Sequence, residues 1–236
     1  MATILAIDKD PLHGQMLAFL LRREEHFVIS FTDPEQGYEL VRQREVDLIL
    51  LETAHSRHDG YRVCKEFTQL CPATPLVIVS ERTDEDQIVR GLLAGADDYI
   101  TKPYSPRVLL AHVQAILRRA KAPSRVLASD DTVSIGAISL GRGHARVTIH
   151  GVTVELTPTE LRLLQVLITN SRRVLSRGQL MTLAWGSSFV GTPKTVDVAV
   201  VRLRRKLDKY VPNGTVYIKS VRGFGYRLEA PLAVGG

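Results

Sequence analysis

The chain has 236 residues, a formal net charge of +6, and 44% hydrophobic against 24% charged residues. That length favours two domains of about 100–130 residues, each able to bury its own core, and the composition is that of a soluble globular protein rather than a disordered or fibrous one. No apolar run approaches the ~20 residues of a membrane span, and Met1-Ala2-Thr3 leads straight into a strand pattern, so the expectation is a cytoplasmic protein without membrane anchor or signal peptide.

From the N-terminus, short apolar runs alternate with amphipathic stretches. Strands are predicted at 3–7, 27–31, 47–51, 76–79 and 98–101. Helices are predicted at 11–25, 34–44, 61–70, 84–94 and 106–119, where apolar residues recur at helical spacing. Five βα units in about 120 residues imply an α/β fold with a doubly wound five-stranded parallel sheet, and ligand chemistry then belongs beyond the C-terminal strand ends. Cys64 and Cys71 fall on or near one helix; their spacing makes no metal pattern, and two reduced thiols are expected.

The stretch from Lys121-Ala122-Pro123-Ser124 to Asp130-Asp131 breaks the periodicity. The expected boundaries are a first domain at 1–121, a linker at 122–130, a second domain at 131–231 and a tail at 232–236. Strand-like segments at 133–140, 146–149 and 152–156 open the second domain. Three helices follow with start signals. Thr157-Pro158-Thr159-Glu160 combines a capping box with proline at the first helical position, Ser176-Arg177-Gly178-Gln179 is a second capping box, and Thr192-Pro193 opens a helix to about Leu207. The segments 216–221 and 224–228, around a turn at Arg222-Gly223, close the chain as a hairpin. Helices followed by a β-hairpin are compatible with a winged helix-turn-helix. This half is also basic, with Arg172, Arg173, Arg177, Lys194, Arg202, Arg204, Arg205, Lys206, Lys209, Lys219, Arg222 and Arg227 and few acids, which points to a polyanion such as nucleic acid.

Two sets of motifs resemble a known family. Val46-Asp47-Leu48-Ile49-Leu50-Leu51, Asp59-Gly60 and Gly95-Ala96-Asp97-Asp98-Tyr99-Ile100-Thr101-Lys102-Pro103 resemble the flavodoxin/CheY-like receiver domain of response regulators. Glu155-Leu156-Thr157-Pro158-Thr159-Glu160, Thr195-Val196-Asp197-Val198 and Val221-Arg222-Gly223-Phe224-Gly225-Tyr226-Arg227 resemble the OmpR/PhoB winged-helix effector. Together they cover nearly the whole chain in the family's order and spacing.

The resemblance implies a pocket in which two acids after the first strand and an aspartate after the third bind Mg²⁺, and that last aspartate accepts phosphate. Here the first acid is Asp8, but Lys9 stands at the second, and Glu52 occupies the phospho-acceptor position eight residues before Gly60. Ser80 matches the switch hydroxyl, Lys102 the phosphate-contacting lysine and Tyr99 the switch aromatic. An ammonium in place of a ligand carboxylate leaves a poor Mg²⁺ site, so no cofactor is expected, and phosphoryl transfer loses its main charge stabilisation. The expectation is a Lys9–Glu52 ion pair where the metal would sit, with the longer Glu52 carrying its charge towards Ser80 and Lys102. Three readings stay open: a decayed pocket that no longer switches, a constitutive active-like receiver in which Glu52 stands in for the phosphorylated state, and a receiver answering another ligand or modified elsewhere.

The resemblance also places a dimer face on the fourth helix, fifth strand and fifth helix, with Arg90, Asp97 and Asp98 retained. The family's ionic residues there are replaced by Leu93, Val108 and His112. With Leu92, the apolar additions suggest a homodimer that forms without a signal, unless Leu92 or Leu93 faces its own core. In the other half, Val196, Val200, Leu203 and Leu207 form the core stripe of the third helix. Its opposite face is expected to carry Val198, Val201, Arg202, Arg205 and Lys209, and Lys194, Arg202 and Arg204 match DNA-contacting positions of the family. Val198 and Val201 on that face suggest thymine methyls and a T-rich half-site. Arg222 is expected in the minor groove and Ser220 on a phosphate. Trp185 reads as core, and the loop from Gly186 to Gly191 matches the family's RNA polymerase contact. The expected function is sequence-specific binding of double-stranded DNA to regulate transcription, largely without phosphorylation; an intact phosphorelay or ligand-responsive regulator is the alternative. An enzyme reading of Asp8, Glu52 and Lys102 lacks a placed nucleophile, a glycine-rich phosphate loop and the second metal-binding acid.

Overall fold

The computed structural model describes residues 1–54, 59–121, 132–141, 146–186, 189, 192–211 and 217–230. The chain divides into two compact units, Met1–Lys121 and Ala122–Gly236. The linker and tail expected at 122–130 and 232–236 lie outside the described residues.

The first unit alternates β1 (Thr3–Ile7), α1 (Pro11–Arg22), β2 (Phe27–Phe31), α2 (Pro34–Gln43), β3 (Leu48–Leu51), α3 (Gly60–Leu70), β4 (Leu76–Ser80), α4 (Glu85–Ala94), β5 (Asp98–Thr101) and α5 (Pro106–Lys121). The strands lie in the order β2-β1-β3-β4-β5, and every pairing is parallel. The central β3 and β4 are apolar along nearly their whole length because helices cover both faces. Ile4, Ala6, Leu48, Leu50, Val77, Val79 and Ile100 share a core with Leu17 and Leu21 of α1 and Leu109, Val113 and Ile116 of α5. On the other face α2 lies close to the sheet: a Cβ at Gly37 would stand 2.3 Å from Ile7 Cδ1, so a larger residue there requires the Ile7 side chain to shift. The side chains of Asp10, Asp33, Asp59 and Asp84 cap α1 to α4. These caps fix where each chain segment leaves its strand and so define the crevice beyond β1 and β3, where strand order reverses.

The second unit begins with an antiparallel four-stranded sheet of β6 (Thr132–Ile135), β7 (Ile138–Gly141), β8 (Val147–Ile149) and β9 (Val152–Val154). The segment expected as one strand at 133–140 is a tight hairpin. Ile135 pairs with Ile138 across Gly136-Ala137, and Gly136 adopts φ +59°, the left-handed region that favours glycine. Helices α6 (Pro158–Thr169), α7 (Arg177–Trp185) and α8 (Pro193–Leu207) follow, then the hairpin β10 (Ile218–Val221) and β11 (Gly225–Leu228). The core stripe of α8 is fully buried with Leu163, Leu167, Leu180, Trp185, Ile218 and Leu228. Among the described residues, no helix is long and apolar enough to cross a membrane.

Candidate functional site

The C-terminal ends of β1, β3, β4 and β5 bring Asp8, Glu52, Ser80 and Lys102 towards one crevice, as parallel-sheet topology requires. The Lys102 ammonium stands between two carboxylates, with Nζ 2.9 Å from Asp8 Oδ2 and 2.7 Å from Glu52 Oε2. Asp8 and Glu52 are each only 2% exposed. The remaining oxygens are also engaged: Asp8 Oδ1 accepts from Asp10 N at 2.9 Å and Glu52 Oε1 from Ala54 N at 2.8 Å. His13 extends the network, its Nδ1 2.5 Å from Asp8 Oδ2 and its Nε2 2.5 Å from the Tyr104 hydroxyl. Burial works to raise the Asp8 carboxyl, but hydrogen bonds from His13 and Lys102 outweigh it and hold Asp8 below the usual carboxylate value. Burial works to lower Lys102, and its bonds to Glu52 and Asp8 reverse this and raise it.

The expected Lys9–Glu52 pair does not form. Asp10 turns its side chain onto Leu12 N to cap α1, Lys9 is exposed between Asp8 and that cap, and Lys102 is the lysine that meets Glu52. A divalent cation between Asp8 and Glu52 would have to displace the Lys102 ammonium. Among the described residues no group of three or more His, Cys, Asp or Glu side chains is placed to hold a metal ion. Mg²⁺ needs several hard oxygen ligands, and here the Lys102 ammonium stands between the Asp8 and Glu52 carboxylates. Ser80 is held by Thr53, whose Oγ1 donates to Ser80 Oγ at 3.0 Å, and the Tyr99 hydroxyl donates to Arg82 O at 2.9 Å. The Glu52 charge is thus taken up by Lys102 and a backbone amide.

On the expected dimer face, Leu93 and Val108 are exposed (37% and 45%), whereas Leu92 is buried at 5% and packs in its own domain. Asp97 and Asp98 are buried as well. Asp97 Oδ2 accepts from Leu76 N at 3.0 Å, and Asp98 Oδ2 pairs with His112 Nδ1 at 2.9 Å. Arg90 lies 3.1 Å from Asp59 and its guanidinium covers Tyr61 at 4.5 Å. Of that set, Leu93 and Val108 offer apolar side chains outward.

On α8 the cations separate into two classes. Arg202 is buried at 8%, its Nε donates to Glu160 Oε1 at 3.1 Å, and its Nη2 reaches Thr157 Oγ1 at 3.3 Å. Lys206 Nζ takes the other Glu160 oxygen at 2.6 Å. Burial would raise the Glu160 carboxyl, but the charges of Arg202 and Lys206 prevail and lower it. Arg202 is thus an anchor between α8 and the start of α6 rather than an outward reader. Arg204 turns to β10, and Val198 is buried at 5%. Ser220, exposed on β10, accepts from Arg204 Nη2 at 3.0 Å. Lys194, Val201 and Arg205 remain exposed on one face of α8, Lys209 is exposed just beyond its end, and Arg222 is exposed at the hairpin turn. Trp185 is core at 1% exposure, while residues 187–188 and 190–191 of the expected polymerase loop lie outside the described residues. The thiols of Cys64 (buried) and Cys71 (half-buried) belong to α3 and its end.

Sequence reasoning missed His13, Tyr104, Thr53 and Glu160. A residue five positions after Asp8, on the first turn of α1, can face back to the strand end, which was a readable signal for His13. Glu160 was identified only as a cap, although a buried cap carboxylate needs a cation.

Comparison with known proteins agrees with the two-domain fold. Residues 4–114 match the family described as "Response regulator receiver domain", and residues 151–228 match "Transcriptional regulatory protein, C terminal". The chain is 37% identical to the transcriptional regulatory protein AfsQ1 of Streptomyces coelicolor, over 98% of this chain and 100% of that protein. It is 34% identical to the phosphate regulon transcriptional regulatory protein PhoB of Pseudomonas aeruginosa, over 96% of this chain and 97% of that protein. Among solved structures, a cysteine-to-serine mutant of RitR superposes with a TM-score of 0.81 at 26% identity, covering 98% of this chain and 100% of that one. The chain therefore belongs to the OmpR/PhoB family of response regulators, sequence-specific DNA-binding proteins built from a receiver and a winged-helix effector.

Proposed function

We propose that this regulator controls transcription without phosphoryl transfer to its receiver, as a receiver-paired homodimer that reads DNA through α8 and the β10–β11 wing. The observation that carries the reading is the Lys102 ammonium seated between the buried Asp8 and Glu52 carboxylates. With Lys9 at the position of the second metal-binding acid, no oxygen cage is left for Mg²⁺ to assist attack on a phosphodonor. Glu52 replaces the acceptor aspartate with a longer side chain whose two oxygens are already bonded, which disfavours it as a nucleophile. Ser80 bonds to Thr53 rather than Glu52, which favours a satisfied, non-switching pocket over imitation of the phosphorylated state. Leu93 and Val108 supply the pairing surface, Val201 a thymine-methyl contact, Lys194 and Arg205 the helix cations, and Arg222 the minor-groove contact. The loop between α7 and α8 is the proposed RNA polymerase contact.

The test uses the full-length protein with Mg²⁺ and a small-molecule phosphodonor, read by intact mass, and with beryllofluoride, read by Tyr99 and Trp185 fluorescence. No phosphoryl adduct and no spectral change are expected. Incorporation that Glu52→Gln abolishes would overturn the reading and restore an intact phosphorelay.

A further inference from the structure

Arg204 directs its guanidinium into the protein. Nε and Nη2 donate to the Ile218 carbonyl at 3.0 and 2.5 Å, and Nη2 also donates to Ser220 Oγ at 3.0 Å. Its Cζ lies 5.7 Å from the centre of the Tyr226 ring. One side chain of α8 thus holds the first strand of the wing and touches a residue of the second. The second strand has its own tether. Leu175 and Tyr226 exchange backbone hydrogen bonds at 2.8 and 3.0 Å. The Tyr226 hydroxyl donates to Asp197 Oδ1 at 2.6 Å, and the same oxygen receives Arg177 Nε at 2.7 Å.

We propose that Arg204 is a positioning residue: it fixes the wing against the recognition helix, and so sets whether Arg222 reaches its groove, without itself contacting DNA. The inference rests on the assignment of Arg222 to the DNA-reading face. Three features favour it. The planar guanidinium offers a rigid fork that a lysine lacks, and here two of its nitrogens converge on one carbonyl. Donors committed to Ile218 O and Ser220 Oγ would have to break those bonds to meet a phosphate. Arg222 lies four residues beyond Ile218, about 13 Å along an extended strand, so slack at the anchor is magnified at the tip.

A double-mutant cycle decides the matter. The full-length wild type selects a duplex from a random-sequence pool, and that duplex is titrated over a range of salt with wild type, Arg204→Ala, Arg204→Lys, Arg222→Ala and the double alanine variant. Melting temperatures are followed in parallel. Arg204→Ala and Arg222→Ala are each expected to weaken binding about tenfold. The double variant should be no weaker than either single one, with no further fall in the salt slope, and Arg204→Lys should fail to rescue. Ser220→Ala removes one acceptor without changing charge. It is expected to give a smaller loss that vanishes in the Arg222→Ala background, so the proposal stays testable if Arg204→Ala folds poorly. Additive losses in affinity and salt slope, or rescue by lysine, would make Arg204 a direct phosphate contact and overturn the proposal. If Arg222→Ala alone binds like wild type, the wing assignment itself fails, and the role of Arg204 fails with it.

Discussion

Lys102 places one ammonium between two carboxylates that are each almost wholly buried. Removing one partner of a buried ionic set leaves the others desolvated and uncompensated, which costs about 3–5 kcal/mol, whereas surface substitutions usually stay within about 0.5 kcal/mol. Lys102→Ala should therefore lower the urea-unfolding free energy of the receiver by about 3–5 kcal/mol, and Lys9→Ala should leave it unchanged within about 0.5 kcal/mol. The reverse order would mean that Lys9 neutralises the pocket after all. The contrast also shows what was legible residue by residue. Asp8, Glu52 and Lys102 follow from strand ends and family spacing, because a parallel sheet delivers those positions to one crevice. Which lysine occupies the middle does not follow, since it depends on how Asp10 caps α1 and turns Lys9 outward. The same limit applies to Arg202 and Arg204, whose positions are legible while their directions are set by Glu160 and Ile218.

Among the elements, α6 and α8 are joined by a carboxylate with two functions. Glu160 completes the capping box by accepting from Thr157 N at 2.9 Å, and it also takes Arg202 and Lys206. Losing an N-cap typically costs about 1 kcal/mol, while orphaning a buried Arg costs several. Glu160→Ala should thus destabilise the C-terminal unit by about 3–5 kcal/mol, well beyond a simple cap loss. Its acid dependence supplies a second readout. The Glu160 carboxyl titrates below its usual value when folded, so its stabilisation is complete above about pH 4.5 and lost as pH falls through the folded-state value. Glu160→Gln should accordingly remove part of the acid-side fall in melting temperature, and an unaltered pH profile by calorimetry would sink the assignment. Strand and helix order was readable throughout, because the apolar periods of the two element types differ. The β6–β7 hairpin was not, since apolar alternation runs on through Gly136-Ala137 and only the left-handed φ of Gly136 reveals the turn.

For the molecule as a whole, the proposed receiver pairing would be thermodynamically linked to DNA reading. If two receivers pair without a signal, two winged-helix units are delivered together, and binding of the second half-site becomes intramolecular. Tandem half-sites about 10–11 bp apart would then place one recognition helix per helical turn. The proposed pairing through the exposed Leu93 and Val108 would depend on apolar contact, so a charge at either position would oppose it by desolvation without altering the DNA-binding unit. The variant Leu93→Glu/Val108→Glu should bind a two-repeat duplex at least about tenfold more weakly than wild type while binding a single repeat equally well. Its receiver, residues 1–121, should sediment as a monomer where the wild-type receiver is a dimer. Equal loss on one and two repeats would instead place the damage in folding. No loss on either would remove Leu93 and Val108 from the interface and leave pairing, if it occurs, to another face.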